Sequence, residues 1–207
     1  MQLDTPIGST SGEGLVAPRL MLSRSAWYML CAYVAAARKS EVSGFAYVQP
    51  LVGDSRTFYV ETSNDVFIVP QEVTIGSAEI SGDSFALAAE AAVAAGRDDQ
   101  LRLQWHSHPA ESYFSATDLS NIEGFGAAGM EWCISIVTNR DNQVHARFDA
   151  FRPVRFGVEM EVVVYDLAPR DLVARAERDV ADMVTVIEPK VVSPWPGLHA
   201  LVGMSDK

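Results

Sequence analysis

Residues that could do chemistry concentrate in one stretch of the chain, which reads His106-Ser107-His108-Pro109 and then Ser115-Ala116-Thr117-Asp118. Alternate residues of a strand point to the same side, so His106 and His108 can both reach one metal ion. Asp118, at the start of the next predicted helix, can fold back across the loop and supply an oxygen ligand. Two imidazoles and one carboxylate leave a fourth position open for water, which is typical of a catalytic rather than a structural zinc site.

Hydrolysis at such a site also needs a group that accepts a proton from water and returns it to the leaving group. The best upstream candidate is Glu41, at the predicted junction of the first helix and the first strand, where Gly44 allows close backbone packing. Simpler explanations exist for single residues. Glu41 could be an exposed carboxylate at a helix end, and Ser115 with Asp118 is close to a capping-box pattern.

Three motifs, taken together and in order, resemble those of the JAMM (MPN-type, JAB-domain) zinc metalloprotease family. They are Glu41-Val42-Ser43-Gly44, His106-Ser107-His108-Pro109 and Ser115-Ala116-Thr117-Asp118. The resemblance covers most of the chain. It implies that Glu41 is the catalytic acid and base, and that Ser115 stabilises the oxyanion. It also implies one Zn2+ per chain, bound by His106, His108 and Asp118. The loop between Pro109 and Ser115 is one residue shorter than in most members.

The resemblance further implies a zinc-dependent isopeptidase or peptidase, similar to prokaryotic single-domain deubiquitinases. Known members cut beside the C-terminus of ubiquitin or of a ubiquitin-like protein. The expected partners are therefore a ubiquitin-like protein or its conjugate, with E1-like and E2-like proteins of the same system. Two alternatives stay open. The same metal site could act on a sulfur-carrier protein or a small amide, or the chain could be a non-catalytic MPN-type scaffold.

Hydrophobic periodicity and turn residues predict an α/β fold with a mixed central sheet flanked by helices, a JAMM/MPN-like (cytidine-deaminase-like) sandwich of three layers. Four helices are predicted: one from Ser23 or Ser25 to about Lys39, one from Ser81 or Asp83 to Gly96, and then Ala116–Gly126 and Arg170–Ile187. The predicted strands are Ser43–Val48, Thr57–Thr62, Val66–Val69, Glu72–Ile80, Leu101–His108, Trp132–Thr138, Val144–Phe151 and Phe156–Tyr165.

The domain organisation is predicted to be simple. Residues 1–18 form a tail, residues 19–188 form one catalytic domain, and residues 189–207 form a Pro-rich segment that Trp195 anchors. Within the domain, Trp105 and Trp132 are expected in the core. The loop residues Ser112, Tyr113 and Phe114 either line a substrate groove or pack down on the fold.

Composition narrows the classes of function. The chain of 207 residues carries a formal charge of −11, so it should not bind nucleic acid through its general field, whereas a basic protein partner would suit it. Cys31 and Cys133 are too few for a disulfide framework and are expected to be buried thiols. The uncharged stretch Ala26–Ala37 is too short to span a bilayer. We therefore expect a cytoplasmic protein that uses no membrane, in which His145 and His199 have no catalytic role.

Overall fold

The structure is a computed structural model that describes residues 17–165 and 172–187, with side chains described for all of these except 172–175. Four α-helices lie in these ranges: α1 (Arg24–Ala36), α2 (Gly82–Ala94), α3 (Ala116–Ala127) and α4 (Leu172–Met183). None of them is long and apolar enough to cross a membrane.

Twelve strands accompany the helices in the described ranges. They are β1 (Arg19–Ser23), β2 (Ser43–Tyr47), β3 (Gln49–Leu51), β4 (Asp54–Val60), β5 (Val66–Phe67), β6 (Gln71–Thr74), β7 (Ser77–Glu79), β8 (Leu101–Ser107), β9 (Trp132–Thr138), β10 (Val144–Ala150), β11 (Phe156–Tyr165) and β12 (Val184–Val186). Nine form one mixed sheet in the order β3-β4-β1-β11-β10-β9-β8-β2-β5, and three form a smaller sheet in the order β12-β6-β7. The predicted α/β class with a mixed central sheet is confirmed.

Serine caps set where the first two helices begin. The Ser23 hydroxyl accepts a hydrogen bond from the Ala26 amide at 3.0 Å, and the Ser81 hydroxyl accepts one from the Ser84 amide at 3.1 Å. Each bond satisfies an amide that the first helical turn leaves without a partner. Both residues were predicted as starting points, because a small polar residue preceded the helical pattern.

Several elements differ from the prediction, among them the strand β3, which was not predicted. The strand β1 was not predicted, although it lies inside the large sheet and pairs in parallel with both β4 and β11. The predicted strand Glu72–Ile80 is instead the hairpin of β6 and β7. The predicted last helix stops at Met183, and Val184–Val186 pairs with β6 because Val and Thr favour extended backbone.

The large sheet is covered on both faces, as a three-layer arrangement requires. On one face α1 packs against the sheet and against α4: the Tyr33 ring stacks on Trp105 at a centroid distance of 5.8 Å, and the Tyr33 hydroxyl donates to Asp179. On the other face Phe85 of α2 packs edge-on against Phe45 of β2 at 5.6 Å. Trp105 is fully buried, which confirms the expectation for this residue.

The second predicted core tryptophan is partly buried. The Trp132 ring lies 5.3 Å from Phe58 and 5.8 Å from Phe148, in an aromatic cluster on the sheet. The predicted boundary between the N-terminal tail and the domain lies between Pro18 and Arg19. The Pro18 carbonyl accepts a hydrogen bond from the Glu161 amide at 2.9 Å, so Pro18 contacts the large sheet. The Pro-rich segment with Trp195 and His199 lies outside the described residues.

Candidate functional site

The strand β8 and the start of α3 bring three predicted metal ligands together. The Nε2 atoms of His106 and His108 lie 3.1 Å apart. One carboxylate oxygen of Asp118 lies 3.1 Å from His106 Nε2, and the other lies 3.4 Å from His108 Nε2. All three side chains are mostly buried, with 12–14% of each exposed. Among the described residues, this is the group of His, Cys, Asp and Glu side chains spaced to hold a metal ion.

These separations can be compared with those of a zinc site. Zinc binds histidine nitrogen and carboxylate oxygen at about 2.0–2.2 Å in tetrahedral geometry, so two ligand atoms on one ion are about 3.3 Å apart. The separation of the two histidine nitrogens and that of His106 Nε2 from Asp118 Oδ1 are close to this value, while His108 Nε2 lies nearer the other carboxylate oxygen, Oδ2. The residues therefore offer nitrogen and oxygen donors of the kind that bind zinc, and these donors lie close enough together to hold one metal ion.

The pKa shifts of Asp118 and His108 also suit the binding of a cation. Burial raises the pKa of Asp118, but the hydrogen bond and charge of His106, together with hydrogen bonds from Ser115, outweigh it and hold the pKa well below its usual range. Burial lowers the pKa of His108, and the neighbouring His106 lowers it further. An ionised carboxylate beside a neutral imidazole is the form in which both side chains bind metal.

Asp118 is fixed in place by the cap of its own helix. The Ser115 amide donates to Asp118 Oδ2 at 2.6 Å, and the Asp118 amide donates to the Ser115 hydroxyl at 3.2 Å. This is a capping box, so the capping explanation is correct for both residues. It is compatible with metal binding, because the cap holds the carboxylate towards the two histidines.

Glu41 follows α1 and precedes β2, where its amide donates to the Thr74 carbonyl at 2.9 Å. The residue is only 8% exposed, so its explanation as an exposed helix-end carboxylate is wrong. Burial raises the pKa of Glu41 to about 7, with the charge of His106 opposing the shift and that of Asp118 adding to it. A carboxyl with this pKa exchanges protons readily at neutral pH.

Ser107, between the two histidines, ties Glu41 to the metal-ligand strand. Its hydroxyl accepts from the Val42 amide at 3.0 Å, and its own amide donates to the Val42 carbonyl at 2.8 Å. Ser107 is 2% exposed and points away from the histidine face. Sequence reasoning missed this role, since a serine between two histidines carries no signal that its hydroxyl will meet a segment 65 residues away.

Gly44 makes the close approach of β2 possible. A Cβ atom at this position would lie 2.2 Å from the Phe67 carbonyl oxygen and 2.8 Å from the Trp105 ring. These distances are too short for any side chain, so the predicted need for close packing at Gly44 is confirmed.

Two further buried amides, which sequence reasoning also missed, hold the backbone around the site. Gln71 accepts from the Ser43 amide at 2.9 Å and donates to the Ser43 carbonyl at 2.8 Å. Asn139 donates to the Ala110 carbonyl at 2.7 Å and so anchors the loop that follows the second histidine. Isolated Gln and Asn residues give no sign of such contacts in the sequence.

The site opens into a cleft of about 1150 Å³ between β7, α2, α3 and the large sheet. Phe114 lines this cleft, and its ring centre lies 6.4 Å from that of His106. Ser112 and Tyr113 do not line it; the Tyr113 side chain is exposed and hydrogen-bonds to Glu111. Of the three loop residues, Phe114 alone has the position predicted for a groove.

Apart from the two histidines, the ionisable side chains that line the cleft are all acidic. Its lining includes four carboxylates, those of Glu41, Glu79, Glu111 and Asp118, and contains no Lys or Arg among the described residues. Neutral or basic ligands therefore suit this cleft better than acidic ones.

The remaining chemically notable residues stand apart from the site. Cys31 and Cys133 are free thiols, and burial raises the pKa of each to about 12. Cys133 is buried as predicted, whereas Cys31 is only partly buried. His145 is exposed on β10 and belongs to no metal-binding group in the described part of the chain.

Comparisons with known proteins bear on the fold alone. No family model matches this chain, and no curated protein matches it. Among solved structures, the chain is similar to the solution structure of protein DSY2949 from Desulfitobacterium hafniense, at 15% sequence identity and a TM-score of 0.50. The match covers 72% of this chain and 94% of that one. The likeness supports the α/β fold of the region that it covers.

Proposed function

We propose that the protein is a zinc-dependent peptidase or isopeptidase of the JAMM type, which cuts the bond at the C-terminal tail of a ubiquitin-like protein. The observation that carries the proposal is the cluster of His106, His108 and Asp118, whose donor atoms lie close enough together to hold one metal ion. A buried Glu41 with a pKa of about 7 opens into the same cleft. The motifs that contain these residues resemble those of the JAMM family in sequence and in order along the chain, and this resemblance indicates the type of reaction.

The residues present divide the chemistry of amide hydrolysis between them. Zinc held by His106, His108 and Asp118 would supply a Lewis acid for the scissile carbonyl and lower the pKa of water towards neutrality. Glu41 accepts a proton from the attacking water as the new carbon–oxygen bond forms. Glu41 then gives this proton to the departing amine as the carbon–nitrogen bond breaks.

Ser115 is the candidate for stabilising the negative charge on the carbonyl oxygen. Its oxygen accepts the hydrogen bond of the helix cap, and its hydroxyl also hydrogen-bonds to the Asp118 carboxylate, so it would donate to an oxyanion by turning away from Asp118. Ser115 also lines the cleft. A donor placed towards a developing oxyanion is typically worth a factor of about 10² to 10³ in kcat.

The proposed substrate binds as an extended strand along β7. This strand pairs with β6 on one side, and no other strand of the described residues pairs with its second side. Ser77, Ala78 and Glu79 line the cleft, so β7 shares this cleft with the proposed metal site. Unpaired backbone groups on an edge strand can bind an extended peptide by β-augmentation. The acidic lining favours a neutral or basic tail.

The proposal extends to partners and compartment. We infer that the partners are a ubiquitin-like protein or its conjugate, together with E1-like and E2-like proteins of the same system. Nucleic acid and membrane are not among the proposed partners, in keeping with the charge of −11. We also propose a cytoplasmic location, which the two free thiols Cys31 and Cys133 support, since thiols stay reduced there.

Substitution of Glu41 tests the mechanism. Glu41→Gln keeps the size of the side chain but cannot carry a proton at neutral pH. We expect about one zinc per chain in both proteins by elemental analysis, with turnover of Gly-Gly-tailed fusions reduced by several orders of magnitude in the variant and substrate still retained in a pull-down. Near wild-type cleavage by Glu41→Gln would remove the central residue of the mechanism.

Substitution of the ligands tests the metal. His106→Ala or His108→Ala should lose both zinc and activity, and the exposed His145→Ala serves as the matched control that keeps both. Protein that binds no stoichiometric transition metal after zinc is supplied would overturn the proposal and favour the scaffold alternative. Cleavage of small amides with no preference for the fusion proteins would favour the alternative substrates.

A further inference from the structure

The floor of the cleft holds a buried polar group with no partner. Ser135, on β9, is 2% exposed, and its hydroxyl is the buried side-chain polar atom of the described residues that makes no hydrogen bond. The polar group that it approaches is the thiol of Cys133, two residues earlier on the same strand face, and a thiol is a weak partner. A buried hydroxyl without a partner costs free energy, so its position in the lining of the cleft points to a ligand.

Gln104 lies beside Ser135 and shares its orientation. The two residues are register partners across β8 and β9, and both line the cleft. Gln104 is half-buried, and no hydrogen bond of its carboxamide is found within the described part of the chain. Gln104 precedes His106 by two residues on the same face of β8. Gln104 and its neighbour Ser135 therefore lie about 7 Å along the strands from the level of His106.

Apolar side chains surround this polar floor. Phe45, Phe85 and Phe125, from β2, α2 and α3, form a chain of rings with centroid distances of 5.6 Å and 6.4 Å, and Met130 lines the same region. We call the region formed by these four residues with Gln104 and Ser135 the floor subsite. None of its six side chains is ionised.

We propose that the floor subsite binds a substrate side chain that is neutral and has an apolar body and a hydrogen-bonding tip, as in tyrosine or glutamine. The aromatic walls would pack against the body, while Gln104 and Ser135 would pair with the tip. An acidic or basic tip is disfavoured because neither floor group carries a balancing charge. The inference rests on the proposed function for its place in catalysis, but binding can be measured without hydrolysis.

The subsite can be tested in the chain of 207 residues with small amides that differ only at the tip of the side chain. N-acetyl-tyrosinamide is compared with N-acetyl-phenylalaninamide, and N-acetyl-glutaminamide with N-acetyl-norleucinamide, by titration followed in NMR spectra. We expect the polar member of at least one pair to bind about 3- to 10-fold more tightly, the range for one net hydrogen bond. The pair that shows this difference in affinity tells whether the subsite prefers a hydroxyl or a carboxamide. Equal binding within both pairs would overturn the proposal.

Variants assign the preference to the two polar groups. Ser135→Ala and Gln104→Leu should each reduce the preference, whereas Ser55→Ala, on an exposed position of β4, should leave it intact. Ser135→Ala should melt at the same temperature as the wild type or higher, because it removes an unpaired buried hydroxyl. A lower melting temperature with an unchanged preference would mean that internal water satisfies Ser135, and the subsite would be wrong. Zinc binding and Gly-Gly-tail cleavage report on the proposed function separately.

Discussion

At the level of single residues, the site depends on groups that serve folding and chemistry together. Ser115 and Asp118 cap α3 through reciprocal hydrogen bonds, and the same bonds turn the Asp118 carboxylate towards His106 and His108. Glu41 shows the opposite relation. Its burial raises its pKa to about 7, which suits proton transfer but costs folding free energy when the carboxyl ionises.

Because ionised Glu41 is costly to bury, we predict that Glu41→Gln increases the free energy of unfolding, and that this gain depends on pH. Since the folded-state pKa lies above the ordinary value of 4.5, the folded protein binds the extra proton, and stability falls as pH rises from about 4.5 to about 7. In metal-free protein, the variant should be more stable than the wild type at pH 8, by on the order of 3 kcal/mol. The difference should vanish near pH 4.5.

Denaturant titrations of both proteins at several pH values, with chelator present, provide the measurement. The lowered pKa of Asp118 acts in a different window, because that carboxylate contributes stability above its ordinary pKa of 3.8 and loses it only at lower pH. A stability difference that stays constant between pH 4.5 and 8 would contradict the burial of Glu41.

Ser115→Ala separates the capping role from the proposed oxyanion role. The variant should lose about 1 kcal/mol of unfolding free energy, since the Asp118 amide loses its acceptor. It should also keep zinc and show kcat lowered by roughly 10²-fold. Ser81→Ala, which removes the cap of α2, is a control for stability loss. Unchanged kcat with lowered stability would leave Ser115 as a cap and nothing more.

At the level of elements, the site depends on how closely β2 and β8 approach. The antiparallel pair places Ser43 opposite His106, and the residues just before β2 include Glu41. Gly44 allows this approach, with the Phe67 carbonyl and the Trp105 ring occupying the space of a side chain. Ser107 then forms two hydrogen bonds with the Val42 backbone: its hydroxyl accepts from the amide, and its amide donates to the carbonyl. The distance from Glu41 to the metal ligands is therefore set by backbone contacts.

Gly44→Ala should damage both folding and activity. The added methyl would meet backbone at 2.2 Å, so β2 must shift away from β5 and β8, with a loss of about 3 kcal/mol or more. Gly124→Ala is the matched control, because nothing lies within 4 Å of the added Cβ in α3 and alanine favours helix there. Chemical denaturation measures both variants. A Gly44→Ala protein as stable as the wild type would show that β2 can move freely.

At the level of the whole molecule, two packing contacts join the C-terminal part of the chain to the rest. The helix α4 packs on α1, with Ala176 fully buried and Asp179 accepting from the Tyr33 hydroxyl. The strand β12 then pairs in parallel with β6, and the Ile187 amide donates to the Val73 carbonyl at 2.8 Å. The next residue of β6, Thr74, accepts from the Glu41 amide. The C-terminal elements thus support the strand that holds Glu41.

Removal of residues 172–207 should expose the apolar surface of α1 and leave β6 without its parallel partner. We expect a loss of several kcal/mol in unfolding free energy, increased binding of a hydrophobic dye and reduced activity. Removal of residues 188–207 alone retains α4 and β12, so its effect reports separately on the segment with Trp195. If the longer deletion unfolds at the same denaturant concentration as the full chain, the contacts of α4 contribute nothing to stability.

Local patterns in the sequence determined most of the elements and the identity of the candidate ligands. Serine caps marked helix starts, alternation marked β8, and His106, His108 and Asp118 were named from residue type and spacing. Tertiary structure alone decided that Glu41 is buried, that Ser107, Gln71 and Asn139 hold the site, and that Gln104 and Ser135 form a polar floor. The physical reason is range: caps and strand faces depend on neighbours within a few residues, whereas burial and these hydrogen bonds depend on strands far apart in the chain. The short strand β1 was missed for the same reason, since its partners β4 and β11 decide its conformation.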